Sequence, residues 1–437
     1  MGLCLPPARR DPHGCGAAVT SGPGAARDPG LAAYVAVTVA YWAFMLSDGA
    51  LRMLVLLHFN GLDFSPIQLA WLFLLYEFAG IVTHLSAGWI AARFGLTSTL
   101  YAGLALQIAA LVALAQLDPT WGVVASVAFV MAVQGVSGVA KDLAKMSSKS
   151  AVKLLAPSED GGLFRWVAVL TGSKNAVKGA GFFIGAAALA LFGFTQAVWG
   201  MAVLLALILF AVAIFMPAGL PRGRKEAKFS EVWSKDRRIN RLSAARMFLF
   251  GSRDVWFVVG IPVYFQSVLS DGTPDGRRAA FFLIGGFMAL WTIGYGAVQA
   301  NAPHLLRARG QPLARITEMA ASWAGRLAII PFALATLSLM AGGPSLWLTV
   351  TLVAGLLLFG VVFALSSSVH SYLILAFTRA ERVTMDVGFY YMANAAGRLL
   401  GTLLSGVSYQ LGGLALCLAT AGLLAAASWW LARDLEG

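Results

Sequence analysis

The sequence predicts an all-α polytopic membrane protein of about twelve transmembrane helices in two six-helix bundles, and three observations lead there. Of 437 residues, 59% are hydrophobic and 12% are charged, about half the charge a soluble domain carries. Apolar runs of roughly twenty residues, the length needed to cross ~30 Å of hydrocarbon, recur along the whole chain. Lysine and arginine gather in alternate connections between those runs, the pattern found in cytoplasmic loops.

Residues 1–30 are rich in Gly, Pro, Ala and Arg without a continuous apolar core, and read as a disordered cytosolic tail rather than a signal peptide. The N-terminal bundle, residues 31–216, holds spans at 31–58, 65–92, 99–117, 121–140, 165–185 and 195–216. Residues 217–241, with eight basic and three acidic side chains, form a basic cytoplasmic linker. The C-terminal bundle, residues 242–433, repeats the rhythm with spans at 243–269, 279–299, 320–340, 346–365, 387–411 and 414–431.

Arg93, the run from Lys141 to Lys153, the linker, Arg307, Arg309, Arg315, Arg379 and Arg382 fall on one side together with both termini, which places the termini in the cytoplasm. The opposite loops are short and carry Asp63, Asp118, Asp271 and Asp275, with Arg277 and Arg278 as their basic pair. The formal charge of +12 is therefore assigned to topology rather than to nucleic-acid binding. Cys4, Cys15 and Cys417 are too scattered for a disulfide framework or a thiolate metal cluster. The sequence has no P-loop, HExxH, zinc-ligand spacing or GxSxG motif, so no cofactor, metal or enzymatic chemistry is expected.

Charge inside the spans points to function. The stretch RWVAVLTGSKNAVKGAGFFIG, residues 165–185, puts Lys174 about nine rises of ~1.5 Å below its start, near the bilayer centre, with Lys178 one turn further. A lipid-facing lysine at that depth costs roughly 2.5–3.5 kcal/mol. Both therefore face protein or a watery cavity, where they either pair with carboxylates or await an anion. Asp48 and Arg52 stand one turn apart in the first span, acid before base. That order suits an intrahelical pair, or a site in which Arg52 grips substrate while Asp48 holds it in place or exchanges a proton. Glu77, with His84 two turns below, can carry protons or neutralise a cation. Arg253 and Asp254 are adjacent; neighbours on a helix do not face each other, so each is expected to find a separate partner and to bridge helices or gate a cavity.

Lys141, Lys145, Lys149 and Lys153 recur every fourth residue on one side of a helix that continues the fourth span. They form either a solvated positive-inside face or an electrostatic funnel, with Ser147, Ser148 and Ser150 as donors to phosphate oxygens. Arg398, with Tyr390 and Tyr391 nearby, supplies the second half's matching cation, while His304 and His370 read as cytosolic loop residues. A faint internal repeat relates Asn175-Ala176 and Lys178 to Asn394-Ala395 and Arg398, and Ser148-Lys149-Ser150 to Val369-His370-Ser371. Parallel repeats of this kind place a substrate path between the halves near the midplane.

The six-plus-six plan with a basic central loop resembles the major facilitator superfamily. GWIAARFGLTSTL keeps Gly88, Arg93 and Gly95 of that superfamily's signature, with Ala92 where an aspartate usually stands. The segments MLSDGALRMLVLLHF, SPIQLAWLFLLYEFAGIVTHL, AKDLAKMSSKSAVKLL, VLTGSKNAVKGAGFF and SAARMFLFGSRDVWFVVGIPVYF are similar to the organoarsenical efflux permeases of bacterial arsenic-resistance operons, a likeness that spans residues 33–433. This resemblance implies a multi-pass protein of the bacterial inner membrane that exports 1-arseno-3-phosphoglycerate by alternating access. Glyceraldehyde-3-phosphate dehydrogenase makes that ester when arsenate replaces phosphate, and would be a partner as substrate source, without binding. A monomer is expected. A phosphate at one end and an arsenate at the other call for two separated cationic centres, Lys174 with Lys178 facing Arg398 or Arg52. The competing readings are an exporter or exchanger of another organic phosphate or a drug, and, from a different class, a membrane enzyme or receptor for anionic lipids. Proton antiport through Asp48, Glu77 or His84 is compatible with export but not required, because an anion leaving a negative interior gains ~2.3 kcal/mol per charge per 100 mV.

Overall fold

The computed structural model describes the backbone of residues 29–155, 162–216, 236–307, 311–378 and 383–436. The predicted tail up to residue 28, most of the linker, and Arg309, Arg379 and Arg382 lie outside the described residues, and of Arg93, Lys149 and Lys153 only the helical backbone is described. Among the described residues the regular structure is helical: α1 (Pro29–Asn60), α2 (Pro66–Leu114), α3 (Val123–Leu155), α4 (Gly162–Phe192), α5 (Phe194–Phe215), α6 (Arg237–Val255), a π-helical turn (Trp256–Gly260), α7 (Ile261–Leu269), α8 (Pro274–Leu305), α9 (Leu313–Ala341), α10 (Leu346–Phe377) and α11 (Val383–Arg433).

Local chemistry fixes where several of these begin. Ser65 and Gln68 form a reciprocal capping box ahead of α2, with Pro66 at its first position. Asp236 caps α6 through the Arg238 amide at 2.8 Å, and Thr273 caps α8 through the Gly276 amide at 3.0 Å. α9 ends at Gly342, whose φ of 63° closes the helix with a left-handed residue.

Two helices hold two membrane crossings each. In α2, Tyr76 and Thr83 advance along α3 in the same direction, at Gly138 and Asp142, whereas Gly103 and Gln107 run back along it, at Ala140 and Ser137. The spans 66–86 and 97–114 therefore lie antiparallel on one neighbour. α11 does the same on α6. Gly397 and Gly401 climb past Met247 and Gly251, the helix breaks at Gly412 and Gly413 (φ 59°), and Cys417, Leu424 and Ser428 descend past Gly260, Gly251 and Ala245. The described residues contain eleven membrane-length apolar segments, and the break in the last makes twelve crossings of a multi-pass membrane protein.

The outer surface is apolar: Phe210, Phe215, Leu339 and Met340 are each more than two-thirds exposed, a belt that a lipid environment accounts for. Inside, small residues let backbones meet, as expected where helices pack without a hydrophobic drive. A Cβ at Gly185 would lie 2.6 Å from the Ala50 Cα, and one at Gly401 would lie 2.7 Å from the Gly251 carbonyl oxygen. These are the same contact in the two halves, fifth span on first and eleventh on seventh. Between the halves, α4 lies on α8 and α2 on α11, with Gly285 against Ala186 and Gly80 against Ala395.

One expectation is corrected here, and one alternative is narrowed. α10 runs twelve residues beyond its predicted end, so His370 is a wholly buried helical residue rather than a loop histidine. Of the two readings left open for the lysine run, the solvated face does not hold for Lys141 and Lys145, which belong to α3 and turn inward, Lys141 over the Tyr76 ring at 4.0 Å. Both stretches lie in polar continuations of an apolar run that the bundle nevertheless buries, and Lys141 and Lys145 find partners there, which a one-dimensional hydropathy profile does not register.

Candidate functional site

Partway along the membrane-length helices, side chains from α1, α2, α4, α6 and α11 converge on one ionic network. Lys178 Nζ lies 2.5 Å from Asp48 Oδ2, and the Tyr76 hydroxyl donates to the other oxygen of that carboxylate. Glu77 Oε1 accepts from Arg52 Nη2 at 3.0 Å and from Arg398 Nη2 at 2.5 Å. Arg398 Nε is in turn 3.5 Å from Asp254 Oδ2, whose other oxygen lies 2.5 Å from Arg253 Nη2. A chain of alternating charge, Arg52–Glu77–Arg398–Asp254–Arg253, thus crosses from the N-terminal to the C-terminal half.

The pairing differs from the sequence expectation at two places. Asp48 and Arg52 do not pair within α1; Asp48 turns to Lys178 and Tyr76, and Arg52 to Glu77, because the neighbouring helices offer better-placed opposite charges. Arg253 and Asp254 do pair with each other, which was not expected, while Asp254 also reaches a separate partner across helices, Arg398 on α11, as expected. The rule about adjacent positions concerns Cβ directions, and a guanidinium on a long stem bends back far enough to pass it. Here the Phe250, Phe257 and Phe363 rings, 5.0–5.8 Å away, hold the curled side chain.

The carboxylates and the cations are not equally hidden. Glu77, Asp48 and Asp254 are 1–2% exposed, whereas Arg52, Lys178, Arg398 and Arg253 keep 13–19% of their side chains accessible. Helices from both halves meet at this point, so the accessible faces line the interior between the halves. The acids sit behind and hold the cations in place, and the surface they leave is positive. Removing one partner of such a buried pair strands the other charge, which costs roughly 3–5 kcal/mol.

A second polar group lies toward the end of the molecule where α1 begins and α11 finishes. His84 Nδ1 meets the Gly80 carbonyl oxygen at 2.5 Å and Asp142 Oδ2 at 3.5 Å; a carbonyl can only accept, so Nδ1 carries the proton. Nε2 then accepts from Lys145 Nζ at 2.9 Å. Lys145 also faces the Tyr391 ring of the other half at 5.4 Å, and Thr83 donates to Asp142. Tyr391 thus stands with Lys145, and Tyr390 packs under Arg246 at 5.0 Å.

On α4, Asn175 donates to Gln299 of α8 at 3.3 Å, joining the halves through an uncharged pair, and Lys174 is half-buried one turn before Lys178. Asn394 is half-buried with its Oδ1 unpartnered among the described residues. Asp142, Tyr76, Gln299 and Arg246 were not singled out from sequence. The first and last carried a readable signal, a carboxylate inside a lysine run and an arginine inside an apolar window. Tyr76 and Gln299 carried none.

Two bundles of six helices, related by repeated packing of the fifth span on the first and enclosing a charged centre at mid-depth, define the major facilitator fold. Among solved structures, a mutant of the nucleoside transporter NupG matches with a TM-score of 0.66 at 17% identity, over 94% of this chain and 99% of that one. A bacterial homologue of the iron transporter ferroportin, inward-facing, matches at 0.65 and 14%, over 93% and 99%. A POT family transporter bound to a thioalcohol-conjugated peptide matches at 0.66 and 14%, over 92% and 94%. No protein-family model and no curated protein sequence matches the chain.

Proposed function

We propose that this protein is an alternating-access membrane transporter that exports an organic anion bearing phosphate- or arsenate-type groups, with 1-arseno-3-phosphoglycerate as the substrate. The observation that carries the anion reading is the network at mid-depth, where four cations from both halves keep accessible faces and the matching carboxylates are buried behind them. Arginine offers five N–H donors in a planar fork, so Arg52 and Arg398 retain donors for an oxyanion while they hold Glu77. The arseno-ester rests on the sequence resemblance to organoarsenical permeases, and glyceraldehyde-3-phosphate dehydrogenase would supply it. The bias of Lys and Arg toward the terminus side orients the chain with both ends in the cytoplasm of a bacterial inner membrane.

In this mechanism the two halves rock about the shared centre. With no passenger, Glu77 bridges Arg52 of one half and Arg398 of the other. An entering oxyanion takes up the free donors and weakens that bridge, which lets the halves separate on the far side. The membrane potential, negative inside, drives the anion outward.

The test is arsenic accumulation in everted vesicles supplied with glyceraldehyde-3-phosphate, its dehydrogenase, NAD and arsenate. Uptake should require all four and should fall to background with Arg398→Gln. Equal uptake of 3-phosphoglycerate, or of a lipophilic cation, would reassign the substrate. Repeating the assay with the proton gradient collapsed separates antiport from potential-driven exit.

A further inference from the structure

The sequence led us to expect two cationic centres for a substrate with two anionic ends, but the structure merges Lys178, Arg52 and Arg398 into one. A second centre is present elsewhere, on α6 and α10. Arg246 is 4% exposed, and none of its ion partners among the described residues is a carboxylate. Its Nη1 donates to the Ser367 carbonyl at 2.8 Å and to the Ser367 hydroxyl at 3.1 Å, and its guanidinium lies between the Phe250 and Tyr390 rings at 4.2 and 5.0 Å. Its Nε has no hydrogen-bond partner among the described residues. One turn beyond Ser367, the imidazole of His370 is wholly buried with both ring nitrogens unpartnered among the described residues.

A buried cation without a carboxylate beside a buried imidazole without partners is an expensive arrangement for an apo interior. An oxyanion satisfies it, because one tetrahedral group can accept from the arginine Nε–H and from an imidazole N–H at once.

The position fits the far end of a passenger held at the first centre. Gln299 Nε2 reaches the Ser367 hydroxyl at 3.4 Å, and its Oε1 accepts from Asn175 at 3.3 Å. Asn175 lies three residues, about 4.5 Å of helix, before Lys178. Hydrogen bonds therefore link Arg246 through Ser367 and Gln299 to Asn175, which stands about one helical turn from Lys178 of the first network. Gln299 and Asn175 are half-buried while Arg246 and His370 are not accessible, so the uncharged amide pair stands as the door to the second centre.

We infer that Arg246 and His370, reached past Gln299, form a second oxyanion subsite that takes one end of a two-headed anion whose other end sits at Arg52, Lys178 and Arg398. This rests on the proposed anion transport and specifies its substrate class as molecules with two separated anionic groups.

The experiment is equilibrium binding to the full-length protein in lipid nanodiscs, using 3-phosphoglycerate, with an anionic group at each end, and inorganic phosphate, with one. Arg246→Gln should weaken 3-phosphoglycerate at least tenfold and leave phosphate within twofold, while Arg398→Gln should weaken both. Equal effects of Arg246→Gln on the two ligands, or none on either, would overturn the subsite. Should Arg246→Gln fail to fold, Arg246→Lys keeps the positive charge near the rings but lacks the planar guanidinium and its Nε–H. It is expected to weaken 3-phosphoglycerate threefold or more with phosphate within twofold, and full retention overturns the inference. If the wild-type protein binds neither ligand, the anion-transport reading itself fails, a result separate from selective failure of the subsite.

Discussion

Glu77 is the residue on which the two halves meet electrostatically, since one of its oxygens accepts from Arg52 and Arg398 while the other has no partner among the described residues. Replacing it by glutamine leaves two guanidinium groups facing each other without an intervening charge. We expect Glu77→Gln to lower the thermal midpoint of the empty protein and to enlarge the upward shift produced by saturating 3-phosphoglycerate, because a ligand that binds only the folded state then also removes a repulsion. Differential scanning of detergent-solubilised protein measures this, and a ligand shift no larger than that of wild type would exclude Glu77 as a stand-in for the passenger. Asp48 and Lys178 give the complementary case. Lys178→Met alone strands a buried carboxylate at a cost of about 3–5 kcal/mol, so the protein should be recovered in low yield. Asp48→Asn with Lys178→Met should restore the yield but not transport, and recovery of both would make this pair purely structural.

At the scale of the helix, close approach and an irregular turn set the geometry of the charged centre. Lys178 reaches Asp48 because Gly181 and Gly185 bring α4 onto the α1 backbone. Gly185→Val would drive a branched side chain into Ala50, and loss of folded protein in the membrane fraction is the expected outcome. Gly286→Ala on the same scale is a control: no neighbouring atom lies within 4 Å of the added methyl, and the helix gains roughly 1 kcal/mol of propensity. In the seventh span, the π-helical turn Trp256–Gly260 displaces amides from the regular ladder, and the Ser405 hydroxyl on α11 accepts from Val259 at 3.1 Å and Gly260 at 3.2 Å. Such turns occur often at functional sites, and this one begins two residues after Asp254. Ser405→Ala leaves both amides to share weaker partners and should destabilise the protein by about 1–3 kcal/mol, read as a lower midpoint with the Arg398-dependent uptake reduced rather than abolished.

The whole molecule is two repeated bundles whose contacts run along α4 with α8 and α2 with α11. If the halves rock, the end remote from the termini must open, and Ala186 faces Gly285 there closely enough that paired cysteines need only about 1 Å of relaxation to reach disulfide spacing. Oxidised Ala186→Cys/Gly285→Cys protein should be inactive in vesicle uptake and regain activity on reduction; undiminished uptake while cross-linked would mean that the halves do not part at that end. The sequence alone determined the membrane setting, the number of crossings, the division into two bundles and the presence of charge at mid-depth. These follow from apolar run length and from the cost of charge in lipid, both of which are readable along one dimension. It also exposed the repeat, which the structure renders as the fifth span packed on the first and the eleventh on the seventh. Only the tertiary structure decided which charge answers which: Asp48 to Lys178 rather than Arg52, Arg253 to its own neighbour, and Arg246 to no carboxylate among the described residues. Pairing depends on how closely glycine-lined helices approach and where long side chains end, and neither distance is encoded in the spacing of residues along the chain.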